Sequence, residues 1–386
     1  MEALRVALVG VSGFGRVHFN DLIREHDAGN WQAIAATVIN QDDEPEACAA
    51  LRERGCTLYT DYGEMLAAAG PLDLVLIPTG IHLHRPMTEA ALAAGANVYL
   101  EKPVAGHIRE IDPMLAAEVA AGRKVWVGFQ RMFDPLVWDL KRELLDGRYG
   151  AVHSVRCWGL WPRDAQYYAR NGWAGALEVN GVPVYDSPMN NAMAHHLMLS
   201  LFFAGSELGE AAALVDIHAE LYRVNPIDSA DTCCFRGVTA AGIELSYQVS
   251  HACLNAFGPA IEITTDSGVI TWQHGRPDSL RWQCGEDAVE RLGQGGGELR
   301  PHIAEVVSKG VRGEDDQRAC RLSLASAHGR CVSAVHAAAG DIVTITPEHW
   351  QQLDDKRVIT GIDEAWGELG CSGRLPREAG LSWALG

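Results

Sequence analysis

No apolar run in the sequence reaches the roughly 20 residues that a membrane-spanning helix needs. No CxxC pair occurs either. The ten cysteines lie scattered at Cys48, Cys56, Cys157, Cys253, Cys284, Cys320, Cys331 and Cys371, apart from the adjacent Cys233 and Cys234. Such spacing supports neither a thioredoxin-like redox pair nor a thiolate zinc site, and no metal is expected. It reads as the reduced, mostly buried thiols of a cytoplasmic protein. Basic residues are scarce beside acidic ones, 32 against 50, which leaves a formal net charge of −18. A field of that sign repels phosphate backbones and anionic lipid surfaces, so neither nucleic acid nor a membrane is the expected partner. Met1 and Glu2 lead straight into an apolar run with no basic segment ahead of a long hydrophobic stretch, so no secretory signal is expected.

What is present is a folded composition, 47% hydrophobic and 21% charged, spread over a chain too long for one ordinary core. In the first third, short continuous apolar runs alternate with helix-like stretches. The runs are Leu4–Val9, Ala33–Ile39, Leu72–Ile77, Asn97–Leu100 and Lys124–Phe129. Strands buried on both faces and separated by helices predict a doubly wound parallel sheet, a Rossmann α/β domain over residues 1–128. Beyond Gln130 the runs alternate and are joined by tight turns: Val152–Trp158, Ala211–Tyr222, Thr232–Val238, Ile243–His251, Ala260–Thr265 and Val269–Gln273. They predict an α+β domain with a large, mostly antiparallel open sheet over 129–346. Helices are expected at about Asn190–Phe203 and Gln317–Ala339, a surface loop at Gly293–Gly297, and a helical tail over 347–386 that docks on the body.

Leu4–Val9 runs into Gly10-Val11-Ser12-Gly13-Phe14-Gly15, which opens a helix. Close approach of a pyrophosphate to backbone N–H groups at a helix N-terminus calls for this kind of turn, here with Ser12 where the usual G-x-G-x-x-G has its middle glycine. The second strand ends at Asn40, followed by Gln41, Asp42, Asp43 and Glu44. Asn40 and Asp42 are the candidates for the adenosine ribose. With no Arg or Lys beside them in sequence and several acids, NAD is expected in preference to NADP. Two further stretches, Pro78-Thr79-Gly80-Ile81-His82-Leu83-His84 and Glu101-Lys102-Pro103, fall at carboxyl ends of parallel strands, where open α/β sheets bind ligands.

These stretches, together with the glycine turn running on to His18 and with Phe129-Gln130-Arg131, resemble the glucose–fructose oxidoreductase/inositol dehydrogenase (Gfo/Idh/MocA) family over nearly the whole chain. Trp161-Pro162-Arg163, Tyr167-Tyr168 and Gly172-Trp173-Ala174-Gly175 are similar to its sugar-dehydrogenase branch. The resemblance implies NAD-dependent hydride transfer to or from a hydroxyl of a sugar, cyclitol or sugar derivative, in a homodimer or homotetramer. It implies that Lys102 is the catalytic lysine and His195 the catalytic histidine. Asn191 then falls where many relatives carry aspartate. An asparagine holds a hydroxyl but takes no proton, which leaves acid–base work to Lys102 and His195. Cofactor contacts are assigned to Gly10, Ser12, Gly13, Phe14, Gly15, Asn40, Asp42, Thr79, His82, His84, Glu101, Lys102 and Gln130. Substrate contacts are assigned to Arg163, Tyr167, Trp173, Asp186 and Asn191, and one helical turn is expected to separate Asn191 from His195. Two alternatives stay open: an NAD-dependent lyase or glycosidase with recycled cofactor, and a dinucleotide-binding sensor without chemistry.

Overall fold

In the computed structural model, which describes residues 2–275, 277–294, 296–314 and 318–385, the chain forms two compact units. The first comprises Met1–Phe133 with Gly297–Ser326, and the second Asp134–Gly296 with Ala327–Gly386.

Six strands make the sheet of the first unit: β1 (Leu4–Val9), β2 (Trp31–Thr37), β3 (Thr57–Tyr59), β4 (Leu74–Ile77), β5 (Asn97–Leu100) and β6 (Val125–Val127). They pair in parallel in the order β3-β2-β1-β4-β5-β6. Every residue of β4, β5 and β6 is buried, as expected of strands covered on both faces. Helices α1 (Gly15–Asp27), α2 (Pro45–Glu53), α3 (Tyr62–Ala68), α4 (His84–Ala93) and α5 (Ile108–Ala121) fill the crossovers. Strand order reverses between β1 and β4, so the connections that leave their carboxyl ends diverge and open a crevice there.

A later helix completes this unit. Helix α9 (Gly296–Val311) joins it through the Trp31 indole, which donates to Ser308 Oγ at 2.7 Å, and through an ion pair between Arg300 and Asp21 of α1. Gly310 lies so close to the Trp126 ring that a Cβ would come within 2.3 Å of it. Val127 then donates to the carbonyl of Cys320 at 2.9 Å. A second domain running unbroken from 129 to 346 is therefore corrected, because its stretch 297–326 belongs with the first unit. The expected loop at Gly293–Gly297 gives way to α9 from Gly296, with Gly295 outside the described residues. The expected helix from Gln317 is α10 (Leu322–Ala339), its first expected residue likewise outside them.

The second unit is built on a nine-stranded sheet: β7 (Val152–Leu160), β10 (Leu214–Arg223), β11 (Thr232–Thr239), β12 (Glu244–Ser250), β13 (Phe257–Thr265), β14 (Gly268–Gln273), β15 (Ser279–Cys284), β16 (Asp287–Leu292) and β17 (Val343–Thr344). Strands β8 (Glu178–Val179) and β9 (Val182–Pro183) form a separate small hairpin. The order is β16-β15-β14-β13-β7-β12-β11-β10-β17, antiparallel except where β12 meets β7 and β17 meets β10. On one face Val155, Cys157, Tyr247, Ile261 and Ile263 are buried. Helix α8 (Ala194–Phe203) packs on that side of the sheet, and α6 (Pro135–Leu145) packs on α8. From α6 the buried Lys141 donates to the carbonyls of Phe202, at 2.7 Å, and Gly205, so its ammonium closes the carboxyl end of α8. The apolar positions of β12, β13 and β14 are thus buried inside the unit.

Trp158 and Leu160 point to the other face, into a cluster with Tyr222, Cys234, Ile362, Trp366, Leu369 and Trp383. The tail supplies this layer, as a hairpin of β18 (Trp350–Leu353) and β19 (Lys356–Ile359) followed by α11 (Ile362–Ser372). Helix α11 lies close over β7 because Gly370 carries no side chain: a Cβ there would stand 2.2 Å from the Trp158 ring. Gly370→Ala is expected to destabilise the protein by about 1–3 kcal/mol through overpacking. Urea unfolding followed by tryptophan fluorescence measures this, and a variant as stable as the parent would mean that α11 is not held against Trp158.

Candidate active site

The glycine turn joins β1 to α1 in the crevice of the first unit. Gly10 has φ +84° and Gly13 φ +55°, and a Cβ on either would meet nothing within 4 Å, so both leave open backbone on the crevice side. At Gly15 a Cβ would stand 2.8 Å from the Gly10 carbonyl oxygen, so only glycine lets the helix start there. Helix α1 begins with no side-chain cap and no acid in its first turn. Its positive end is left for an anion, and a cradle with no Cβ atoms at that end fits a dinucleotide pyrophosphate. Phe14 is 47% exposed at the tip of the turn. Asn40 Nδ2 donates to Ser12 Oγ at 3.1 Å, which ties the turn to the end of β2. Asp42 lies in the short 3₁₀ turn Gln41–Asp43. The absence of bases around this loop holds only in sequence. Arg16 of α1 pairs with Glu44, and Arg52 of α2 donates to Gln41 Oε1 at 2.8 Å.

Where β5 ends, Glu101 is buried to 4% exposure. Its Oε1 meets His18 Nε2 of α1 at 2.8 Å, and its Oε2 accepts from the backbone N–H of Lys102 at 3.0 Å. Gly128 makes room for this, since a Cβ there would stand 2.7 Å from Oε1. Burial lowers the pKa of His18, opposed by its bond to Glu101. His84 is fully buried, with Nδ1 at 2.8 Å from the Pro103 carbonyl and Nε2 at 3.1 Å from the Thr79 carbonyl. Burial lowers its pKa against the pull of those carbonyls. A neutral imidazole donates from one nitrogen, and the shorter contact, to Pro103, is the natural one. Glu101 and His84, expected at the cofactor, therefore anchor the loops after β4 and β5 from behind. His82 lies in the short 3₁₀ turn Ile81–Leu83, its pKa also lowered by burial. Gln130 opens the turn Gln130–Phe133 at the end of β6.

In the second unit Asp186 is the organising acid, 3% exposed. Its Oδ2 accepts from Gly175 N–H at 2.7 Å and meets Arg170 Nη2 at 3.4 Å, and its Oδ1 accepts from Asn191 Nδ2 at 2.7 Å. An aspartate at 191 would face the Asp186 carboxylate at that distance, which accounts for asparagine here. Asn191 sits in a single π-type turn, Pro188–Ala192. Met193, at φ −108°, separates that turn from α8, in which His195 is the second residue. One continuous helix carrying both residues is thus corrected to two pieces. His196 is buried in a ring cluster with Trp161 and His274. Tyr167 lies in α7 (Ala165–Ala169), whose first turn is capped by Asp164. The Arg163 guanidinium stacks on the Tyr167 ring at 4.6 Å, and Arg170 covers both Tyr167, at 3.8 Å, and Trp173, at 5.3 Å. His251 beneath them bonds the Trp161 carbonyl through Nδ1 at 2.8 Å. Burial, helped by the Arg163 charge, pushes its pKa down to about 3. Sequence reasoning passed over His251, Arg170 and the anchoring parts of His18 and Asp186, because nothing in their local pattern marks them.

Four histidines, His18, His82, His84 and His251, have folded-state pKa values below that of the unfolded chain. Below about pH 6.5 the unfolded chain binds protons that the native state refuses. Stability is thus expected to be level with respect to these groups above pH 6.5 and to fall as pH drops, by about 1.4 kcal/mol per pH unit for each fully affected histidine. His251→Gln should flatten the slope between pH 6 and pH 4 by about that amount, measured as urea midpoints across pH. An unchanged slope would mean that His251 is charged in the native state.

Residues 4–129 match the oxidoreductase family with an NAD-binding Rossmann fold, Gfo/Idh/MocA. Inositol 2-dehydrogenase 4 of Saccharopolyspora erythraea is 26% identical across 87% of this chain and 92% of its own length. An inositol 2-dehydrogenase of Klebsiella pneumoniae is 31% identical over 40% of this chain and 45% of its own. Among solved structures, the WlbA dehydrogenase of Bordetella pertussis, in complex with NADH and UDP-GlcNAcA, aligns with TM-score 0.70 at 20% identity, over 87% of this chain and 96% of that one. That likeness extends the expected two-part fold, a Rossmann sheet followed by a large mixed sheet, over nearly the whole molecule. With its glycine turn and its Glu101-Lys102-Pro103 loop, the stretch 4–129 matches the NAD-binding Rossmann domain of the Gfo/Idh/MocA oxidoreductases, and the chain as a whole is similar to the dehydrogenases named above.

Proposed function

We propose that the protein is an NAD-dependent dehydrogenase that oxidises a hydroxyl of a sugar, cyclitol or sugar derivative, or runs the reverse reduction. The observation that carries this reading is the placement of Lys102 directly after β5, its backbone N–H held by a buried carboxylate, in the sheet whose β1 ends in the glycine cradle. The inositol 2-dehydrogenases among its relatives support a polyol as substrate.

When bound, NAD supplies the acceptor for the hydride. Gly10, Ser12, Gly13, Phe14 and Gly15 are assigned to its pyrophosphate, and Asn40 and Asp42 to the adenosine ribose. Thr79, His82 and Gln130 are assigned to the rest of the cofactor, with His84 and Glu101 holding their loops. The Glu44 carboxylate neutralises Arg16 beside the ribose loop, which favours NAD over NADP. Removal of a hydride from a secondary alcohol requires the hydroxyl proton to leave. Lys102 is assigned to the developing alkoxide, where a fixed ammonium stabilises charge that appears only as the reaction proceeds. His195 is assigned to the proton. Asn191, its amide orientation set by Asp186, is assigned to a substrate hydroxyl. Free, mostly buried cysteines fit a reducing cytoplasm.

The test assays NAD(H) and NADP(H) released from denatured protein and screens sugars and cyclitols for NADH formation. A polyol that reduces NAD is expected, with kcat lowered about 10²–10⁴-fold in Lys102→Ala. Turnover without net NADH would replace dehydrogenation by the recycled-cofactor reaction, and absence of any dinucleotide binding would overturn the reading. Glu44→Gln, which leaves Arg16 without its counter-charge, is expected to shift the NAD/NADP preference about tenfold toward NADP in titrations of intrinsic fluorescence. An unmoved ratio would mean that Arg16 lies out of reach of the 2′ position.

A further inference from the structure

Arg163 leaves β7 through Trp161-Pro162 and is only half buried, yet it has no acid partner among the described residues. Its backbone N–H donates to the His251 carbonyl at 3.2 Å and its Nη1 to the Pro162 carbonyl at 3.1 Å. Its Nε is fully buried and meets no acceptor among the described residues. The guanidinium lies 4.6 Å from the centre of the Tyr167 ring and 5.8 Å from that of Trp161. Arg170 approaches the same Tyr167 ring, at 3.8 Å, so two cations crowd one aromatic side chain. Both charges depress the titration of His251.

The acids nearby are already committed. Asp186, the one carboxylate within ion-pair distance of either arginine among the described residues, meets Arg170 at 3.4 Å while accepting from Gly175 and Asn191 at 2.7 Å each. Asp164 caps α7 through the Tyr167 N–H. The fully buried Asp231 accepts from the backbone of Val224 and Asn225 and from the Asn225 amide. In a chain with 50 acids to 32 bases, arginines elsewhere find carboxylates readily, as Arg54 does with Asp27 and Arg291 with Glu143. Holding an unpaired guanidinium beside a second one is unfavourable unless something negative is to be bound. The planar fork of arginine suits the two oxygens of a carboxylate or phosphate.

We propose that Arg163 and Arg170 recognise a negatively charged group on the substrate, so that the preferred substrate is a sugar or cyclitol bearing a carboxylate or a phosphate. This rests on the dehydrogenase reading and narrows it. A neutral polyol leaves the Arg163 guanidinium uncompensated, whereas an acidic one supplies its counter-charge while the aromatic rings cover its apolar edges.

The experiment uses the full chain with NAD and three matched series: glucose and inositol as neutral parents, gluconate and glucuronate as carboxylates, glucose 6-phosphate and inositol phosphate as phosphates. NADH formation gives kcat and KM, and thermal melting with each compound, without added NAD, gives binding independently of chemistry. One charged series is expected to exceed its neutral parent in kcat/KM by at least about tenfold, and which series does so separates carboxylate from phosphate. In Arg163→Met that preference should collapse about 10–100-fold, chiefly through KM. Arg163→Lys, which keeps the charge but not the fork, should recover part of it. Melting without sugar shows whether each variant folds. Charged compounds that raise the melting temperature of the parent but not of Arg163→Met, with no NADH from any compound, would leave the anion site standing and overturn the dehydrogenase reading. Neutral parents used as well as the charged series, or an acid-to-neutral ratio unchanged in both Arg163 variants, would overturn the proposal. So would absence of both turnover and thermal stabilisation with every charged compound.

Discussion

A carboxylate taken out of water must be given hydrogen bonds in return, or its burial costs several kcal/mol. Glu101 meets this requirement with two partners, the ring of His18 from α1 and the backbone N–H of Lys102. Much of the first unit follows from that constraint. Residue 128 must be glycine to leave the carboxylate its space, and His18 must sit one turn past the glycine cradle so that its ring faces β5. The backbone of the residue after the glutamate, Lys102, is thereby held in place. His84 repeats the device between the loops after β4 and β5, with two backbone carbonyls in place of a carboxylate.

The second unit solves the same problem with Asp186. Its two oxygens collect the Gly175 N–H, the Asn191 amide and Arg170. One buried acid thereby sets the arginine-rich segment, the π-type turn and the entry to α8. The far end of α8 is closed by the Lys141 ammonium on two carbonyls. His195 thus sits near the start of a helix fixed at both ends, and the proton transfer proposed for it would require geometry held in this way.

Five strands of the parallel sheet were legible because they lie in continuous apolar runs of four to seven residues, while the three-residue β3 (Thr57–Tyr59) was too short to read. The glycine turn was legible because close approach forbids side chains there. The antiparallel strands were legible from alternation up to β14. Strands β15 and β16 lie toward the sheet edge, where exposed positions such as Arg281, Asp287 and Glu290 dilute the apolar signal. The return of α9 to the first unit could not be read locally. Its decisive contacts, Arg300 with Asp21 and Trp31 with Ser308, join residues nearly three hundred positions apart. For the same reason Arg16 did not show beside Glu44. The interruption at Met193 also escaped, since the pattern from Asn190 to Phe203 suits one helix, and the local demand of the Asn191–Asp186 bond overrides it.

An anionic substrate and a net charge of −18 look opposed, and distance decides between them. At physiological ionic strength exposed charges are attenuated over about 8 Å, so most surface acids contribute little at any one pocket. A guanidinium at hydrogen-bond distance is not screened in this way, and next to aromatic rings it works in a lower effective dielectric than bulk water. The acids near Arg163 and Arg170 are moreover bound by N–H groups or act as caps, and Asp186 meets Arg170 as well, so their fields are already answered locally. The long-range field then slows the approach of an anion modestly, while the two arginines determine whether it stays.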